Sequence, residues 1–177
     1  MRHSPRLQIS RLMLVLLTSG SALDSVWAAP IADDIRAMLA RGDTTAALAR
    51  AEQAAAAAPN EPEPRFLKAV VLMQSGQDDA ALALFTKLTQ QFPELPDPYN
   101  NIALLQARAG RLELAREALL QALRNDPGHR AARANLAQVY GMLAVQEWTA
   151  AAQADPSDPE LARRLAAAAQ ALLIPGP

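Results

Sequence analysis

Glycine recurs in this chain at one interval: Gly42, Gly76 and Gly110 are spaced by 34 residues. Pro59, Pro93 and Pro127 keep the same interval, and so do Ala47, Ala81 and Ala115, and Ala69, Ala103 and Ala137. Asn101 and Asn135 add one more pair. Several residue types sharing one period mark a supersecondary unit stacked on copies of itself. Each glycine can take the left-handed conformation that closes a first helix, and each proline stops a second helix before the next unit. Alanine supplies 40 of the 177 residues, while Phe, Trp and Tyr together supply seven. Such a chain suits close helix-helix packing better than a thick sheet core. The spacing sets Ala69 against Ala81 and Ala103 against Ala115, small residues where paired helices must approach. The fold expected is all-α, a short solenoid of antiparallel helix hairpins.

The best unit, residues 96–128, reads PDPYNNIALLQARAGRLELAREALLQALRNDPG. Its aromatic Tyr99, small Ala103 and Ala115, turn glycine Gly110, large apolar Leu119, Ala122 and closing Asp126-Pro127 resemble the tetratricopeptide repeat. The preceding unit, residues 62–95, shares Ala69, Gly76, Ala81, Phe85 and Pro93, but Arg65 and Lys68 depart from positions usually aromatic and aliphatic. The first unit, residues 29–61, is more degenerate and keeps Ile35, Gly42, Ala47, Ala54 and Pro59. A terminal repeat facing solvent tolerates such a front end.

The fourth unit, residues 129–156, breaks the pattern. Asn135, Leu136, Ala137 and Tyr140 occupy family positions, but Ala144 stands where a glycine is expected and Asp155-Pro156 arrives five residues early. The spacing predicts one long or kinked helix over 130–154, with Gly141 as the possible bend. Ser157 or Asp158 then caps a final helix over 158–173, with Pro159 in its first turn and Leu161, Leu165 and Ala169 at helical spacing. That helix is expected to cover the last exposed repeat face, ahead of a tail at 174–177. Residues 29–173 thus form one domain.

Residues 1–28 read as an export signal: Arg2, Arg6 and Arg11, then the apolar run Leu12 to Leu17, then a small-residue stretch ending at Ala28. Cleavage after Ala28 is favoured, because a cut after Ala29 would place Pro30 next to the scissile bond. An uncleaved amino-terminal anchor is the open alternative. The expected location is the periplasm or another exported site, with no stable membrane insertion once the segment is removed.

Chemistry is sparse. Cysteine is absent, which removes disulfides, thiolate metal sites and cysteine nucleophiles. Formal net charge is -1, so no strong field recruits nucleic acid. His129 is the one histidine beyond the leader and is expected as a solvent-exposed turn residue. Asp33-Asp34 and Asp78-Asp79 are expected at helix starts, where a negative charge is favourable. Neither a metal site, a cofactor nor an enzymatic activity is expected.

What the resemblance implies is binding. In tetratricopeptide repeats the first helix of each pair lines an inner groove, which assigns Phe66, Val70 and Met73, then Asn100, Asn101, Leu104 and Arg108, then Asn135 and Gln138 as candidate peptide contacts. Asparagine amides donate and accept, so a ladder of them can bond an extended backbone. The same asparagines can equally join neighbouring hairpins, Phe66 can be core, and Arg108 can be a plain surface charge. The expected function is a noncatalytic exported adaptor or scaffold holding a protein or peptide partner of the bacterial envelope. The alternative is a structural envelope protein that assembles as a homodimer.

Overall fold

The computed structural model describes residues 28–173. The expected signal segment through residue 27 and the tail at 174–177 lie outside the described residues. Eight helices follow one another: α1 Ala28–Ala40, α2 Thr44–Ala57, α3 Pro62–Gln74, α4 Asp78–Gln91, α5 Pro96–Arg108, α6 Leu112–Asn125, α7 Arg130–Ala154 and α8 Pro159–Leu173. Each packs against the next, and α1, α3, α5 and α7 also touch in succession. The first helices of successive hairpins therefore form one row, as in a tetratricopeptide-type solenoid.

The glycine turns close by one mechanism. Gly42, Gly76 and Gly110 have φ of 77°, 76° and 74°. At the second of them the Gly76 N–H donates to the Met73 carbonyl (3.3 Å) and the Gln77 N–H to the Leu72 carbonyl (2.9 Å). Two otherwise orphaned helix-end carbonyls are satisfied, the reason helices commonly stop at a left-handed residue. Proline opens the next unit: Pro62 and Pro96 each begin a helix, where a missing N–H has no consequence.

The alanine seam is closed. Ala69 and Ala81 are both 0% exposed, and Ala103 and Ala115 are 1% and 0%. The second helices add Phe85 and Leu88, or Leu119 and Ala122, all fully buried. Leu105 of α5 joins the cluster formed by α3 and α4, while Ala132, Leu136 and Val139 of α7 join that of α5 and α6. Core is thus shared across repeat boundaries, so each hairpin stabilises the next.

Residues 130–154 form a single helix through Gly141 and Ala144, without the turn found in the other units. Asp158 caps α8, its carboxylate accepting from the Glu160 N–H at 2.7 Å. Among the described residues α8 packs on α7 alone, covering neither α5 nor α6. One expectation is corrected: α1 begins at Ala28, so Asp33-Asp34 lie inside the helix, with Asp33 accepting from Arg36 at 2.8 Å. Asp78-Asp79 do occupy the first turn of α4.

Because a Cβ at Gly110 would meet no heavy atom within 4 Å, Gly110→Ala isolates the backbone penalty of the left-handed turn. Chemical denaturation should show a loss of about 1–2 kcal/mol, and Gly110→Asn a smaller one. Unchanged stability in both would contradict the turn's role.

Candidate functional site

Side chains on the row of first helices divide by what they touch. Val70 and Met73 are buried in the cluster with Phe85, Leu88 and Leu105, at the junction of the second and third hairpins. Phe66 is partly buried, its ring 5.6 Å from that of Phe85 and tilted by 59°. These three positions are occupied by packing.

Three asparagines are nearly closed off: Asn100, Asn101 and Asn135 are 8%, 9% and 6% exposed. Asn135 Nδ2 donates to Asn100 Oδ1 at 2.8 Å, tying α7 to α5. Asn101, which shares its repeat position with Asn135, turns instead to its own helix and donates to the Asp97 carbonyl at 2.9 Å. The inter-hairpin bond therefore runs between positions 35 apart rather than 34. Arg108 follows the same offset, reaching the Met73 carbonyl 35 residues earlier at 3.5 Å and Asp78 at 3.4 Å. With its guanidinium half exposed beside Asp78, Arg108 links α5 to the start of α4.

Leu104 and Gln138 remain more open. With Met142 and the buried Ala103, Ala107, Leu119, Asn135 and Val139 they line a recess of about 10 Å³ between α5, α6 and α7, room for about one water. Its wall is apolar, and the Gln138 amide supplies a donor and an acceptor at the edge.

His129 is where the sequence expectation fails. Only 3% exposed, it is the N-cap of α7: Nδ1 accepts from the Ala132 N–H at 3.0 Å, and Nε2–H donates to Asp97 at 3.0 Å. Asp97 stands in the first turn of α5, so one imidazole closes a helix end and fastens two hairpins. The turn composition around Gly128 suggested exposure, because the partner lies 32 residues upstream. The hydrogen-bonded Asp97 carboxylate holds the imidazole above its usual 6.5, against the lowering effect of burial, and Asp126 adds to the pull. Protonation puts a hydrogen on Nδ1, facing the Ala132 N–H, which returns part of that gain.

No group of three or more His, Cys, Asp or Glu side chains suited to a metal occurs among the described residues. No helix among them is long and apolar enough to cross a membrane. On α6, Arg116 pairs with Glu113 at 2.8 Å while its Nε is buried without a hydrogen-bond partner among the described residues.

Two tetratricopeptide-repeat family profiles match, one over residues 38–107 and one over residues 96–129. A tetratricopeptide repeat-containing protein, YvcD of Bacillus subtilis (strain 168), is 33% identical over 73 residues, 41% of this chain. The chain spans 15% of that relative's length. Among solved structures, YrrB, described as a tetratricopeptide-repeat protein with an unusual peptide-binding site, superposes with a TM-score of 0.53 at 26% identity. That match covers 59% of this chain and 54% of YrrB. A thermophilic tetratricopeptide-repeat protein of Thermus thermophilus gives a TM-score of 0.59 at 19% identity, over 79% of this chain and 80% of its own.

A raised imidazole pKa stabilises the fold when the group is protonated, and that contribution is lost as pH rises through the folded value. Denaturation at intervals between pH 6 and 8 should show stability falling toward alkaline pH. His129→Asn, which keeps a capping acceptor, should flatten that slope. An identical slope in the variant would contradict the assignment.

Proposed function

The chain belongs to the tetratricopeptide-repeat family, and on that premise we propose that it is a noncatalytic adaptor or scaffold. It takes a protein or peptide along the row formed by α3, α5 and α7. The observation that carries this reading is the part-exposed strip of Leu104, Gln138 and Met142 along α5 and α7, beside polar groups that are committed to joining hairpins. The peptide-binding site described for YrrB supports the same use of the fold. Recognition by an apolar side chain laid against Leu104 and Met142, oriented by the Gln138 amide, follows from these chemistries. The asparagine ladder contributes less than its repetition suggests, since two of its amide N–H groups are already donated within the protein.

We further propose that this binding takes place outside the cytoplasm, in the bacterial envelope. The support is the order of residues 1–28, with arginines, a short apolar run and a small-residue stretch before Pro30. The intact mass of the chain recovered from the envelope of an expressing bacterium should correspond to a first residue of Ala29. Recovery of uncleaved chain from the cytoplasm alone would overturn this location.

Peptides selected on the unmodified protein should bind Leu104→Asp at least ~10-fold more weakly, because a desolvated carboxylate would face an apolar ligand. Asn101→Ala should bind nearly as before. Equal binding by both variants, with their folding confirmed by circular dichroism, would remove the strip of Leu104, Gln138 and Met142 as the site.

A further inference from the structure

Four residues stand on one face of α5: Asp97, Asn101, Leu104 and Arg108 follow at spacings of four, three and four. Their counterparts one repeat later on α7 are Ala131, Asn135, Gln138 and Met142. The two helices are neighbours in the row of first helices, so these faces form the sides of one valley, with the Asn135–Asn100 bond as its floor. Charge sits only at its two ends. Asp97, half exposed, marks the start of α5, and Arg108, 40% exposed, marks its close. The four counterparts on α7 carry none. Eleven residues of helix place Asp97 and Arg108 about 16 Å apart, or about three turns. Neither is saturated: His129 engages only Oδ1 of Asp97, and Arg108 bonds only through Nη1 among the described residues.

The valley has little to offer the main chain of an extended ligand. Backbone groups of α5 and α7 are bonded within their own helices. Asn100, Asn101 and Asn135 are at most 9% exposed, and the amides of Asn101 and Asn135 donate inside the protein. That leaves the Gln138 amide. An extended peptide needs partners for each N–H and C=O that it turns toward the protein, whereas a helix pairs these groups itself. The recess beneath Leu104 and Gln138 has room for one water and not for a side chain, so contact runs along the surface. On the α7 side Ala131 and the exposed Ala134 are small, which lets a second helix come near.

We infer that the ligand is an amphipathic helix lying along the valley between α5 and α7, antiparallel to both. An acidic residue in its first turn meets Arg108, and a basic residue eleven positions later meets Asp97. The inference rests on the placement of the ligand proposed above and adds its chemistry. Acid at a helix start and base at its end are the placements the helix dipole favours, and the antiparallel direction sets each end beside helix ends of opposite sign. Eleven positions are close to three full turns, so the two charges share a face with apolar residues four and seven positions after the acid. The first of these comes level with Leu104, and the second lies beside Ala134.

The probe is a stapled, alanine-based helix of about sixteen residues. It carries glutamate in its first turn, leucines four and seven positions later and lysine eleven positions later. Fluorescence anisotropy with the full-length protein should show binding, and an unstapled copy with proline at its centre should bind at least ~10-fold more weakly. Glutamine in place of the probe's glutamate should weaken binding to the unmodified protein about 3-fold and leave binding to Arg108→Gln unchanged, a coupling that a purely structural arginine would not show. Equal or tighter binding of the proline copy, or the same loss on both proteins when the glutamate is replaced, would overturn the helix. If the stapled probe fails to bind while selected peptides still depend on Leu104, the helix is wrong and the groove stands. If selected peptides bind Leu104→Asp as well as the unmodified protein, both are wrong.

Discussion

Two helices can lie side by side along their length only where the residues between them are small, and everything in this solenoid follows from keeping that seam narrow. Alanine at the paired positions lets backbones approach, so Ala69, Ala81, Ala103 and Ala115 disappear from solvent almost completely. Close packing then requires a turn that reverses the chain within a few residues, and a left-handed glycine provides it. Larger side chains such as Phe85 and Leu119 fill the wedge behind the seam and reach the next unit. Overpacking at the alanines would separate the helices and loosen the cross-repeat cluster with them.

The period, the hairpins and the end of the pattern were legible in the sequence because glycine and proline act locally. The continuous helix through residue 144 could be read the same way, from a missing glycine and an early Asp-Pro. Contacts between repeats were harder to read. Asn101 and Asn135 share a position in the 34-residue register, yet neighbouring helices are displaced, and the bond forms from Asn135 to Asn100. Val70 and Met73 have the spacing of groove residues, but the same stripe of α3 faces Leu105 of the next hairpin. His129 looked like a turn residue since nothing nearby in sequence announces Asp97 as its partner. A histidine directly before a helix start, with an acidic residue one repeat upstream, is the signal that could have found it.

These inter-repeat bonds shape what the inner row can offer a ligand. Buried amides that hold α5 to α7 would leave unpaired groups if diverted to a peptide, at a cost of about 1–3 kcal/mol each. Free chemistry is therefore concentrated at Leu104, Gln138 and the rim near Arg108. The same economy explains the absence of a charged clamp: among the described residues Lys68, the one lysine on the first helices, pairs across to Glu52 at 3.0 Å.

The most direct measurement of the central claim is amide hydrogen exchange along the chain. Nested hairpins of 34 residues, with the fourth turn absent, require fast-exchanging breaks just after the glycine turns, at residues 78–80 and 112–114, where the first N–H groups of α4 and α6 have no intrahelical partner. They also require continuous protection from about residue 134 to 150. Fast exchange around residues 141–144, as strong as at the first turns of α4 and α6, would contradict the account.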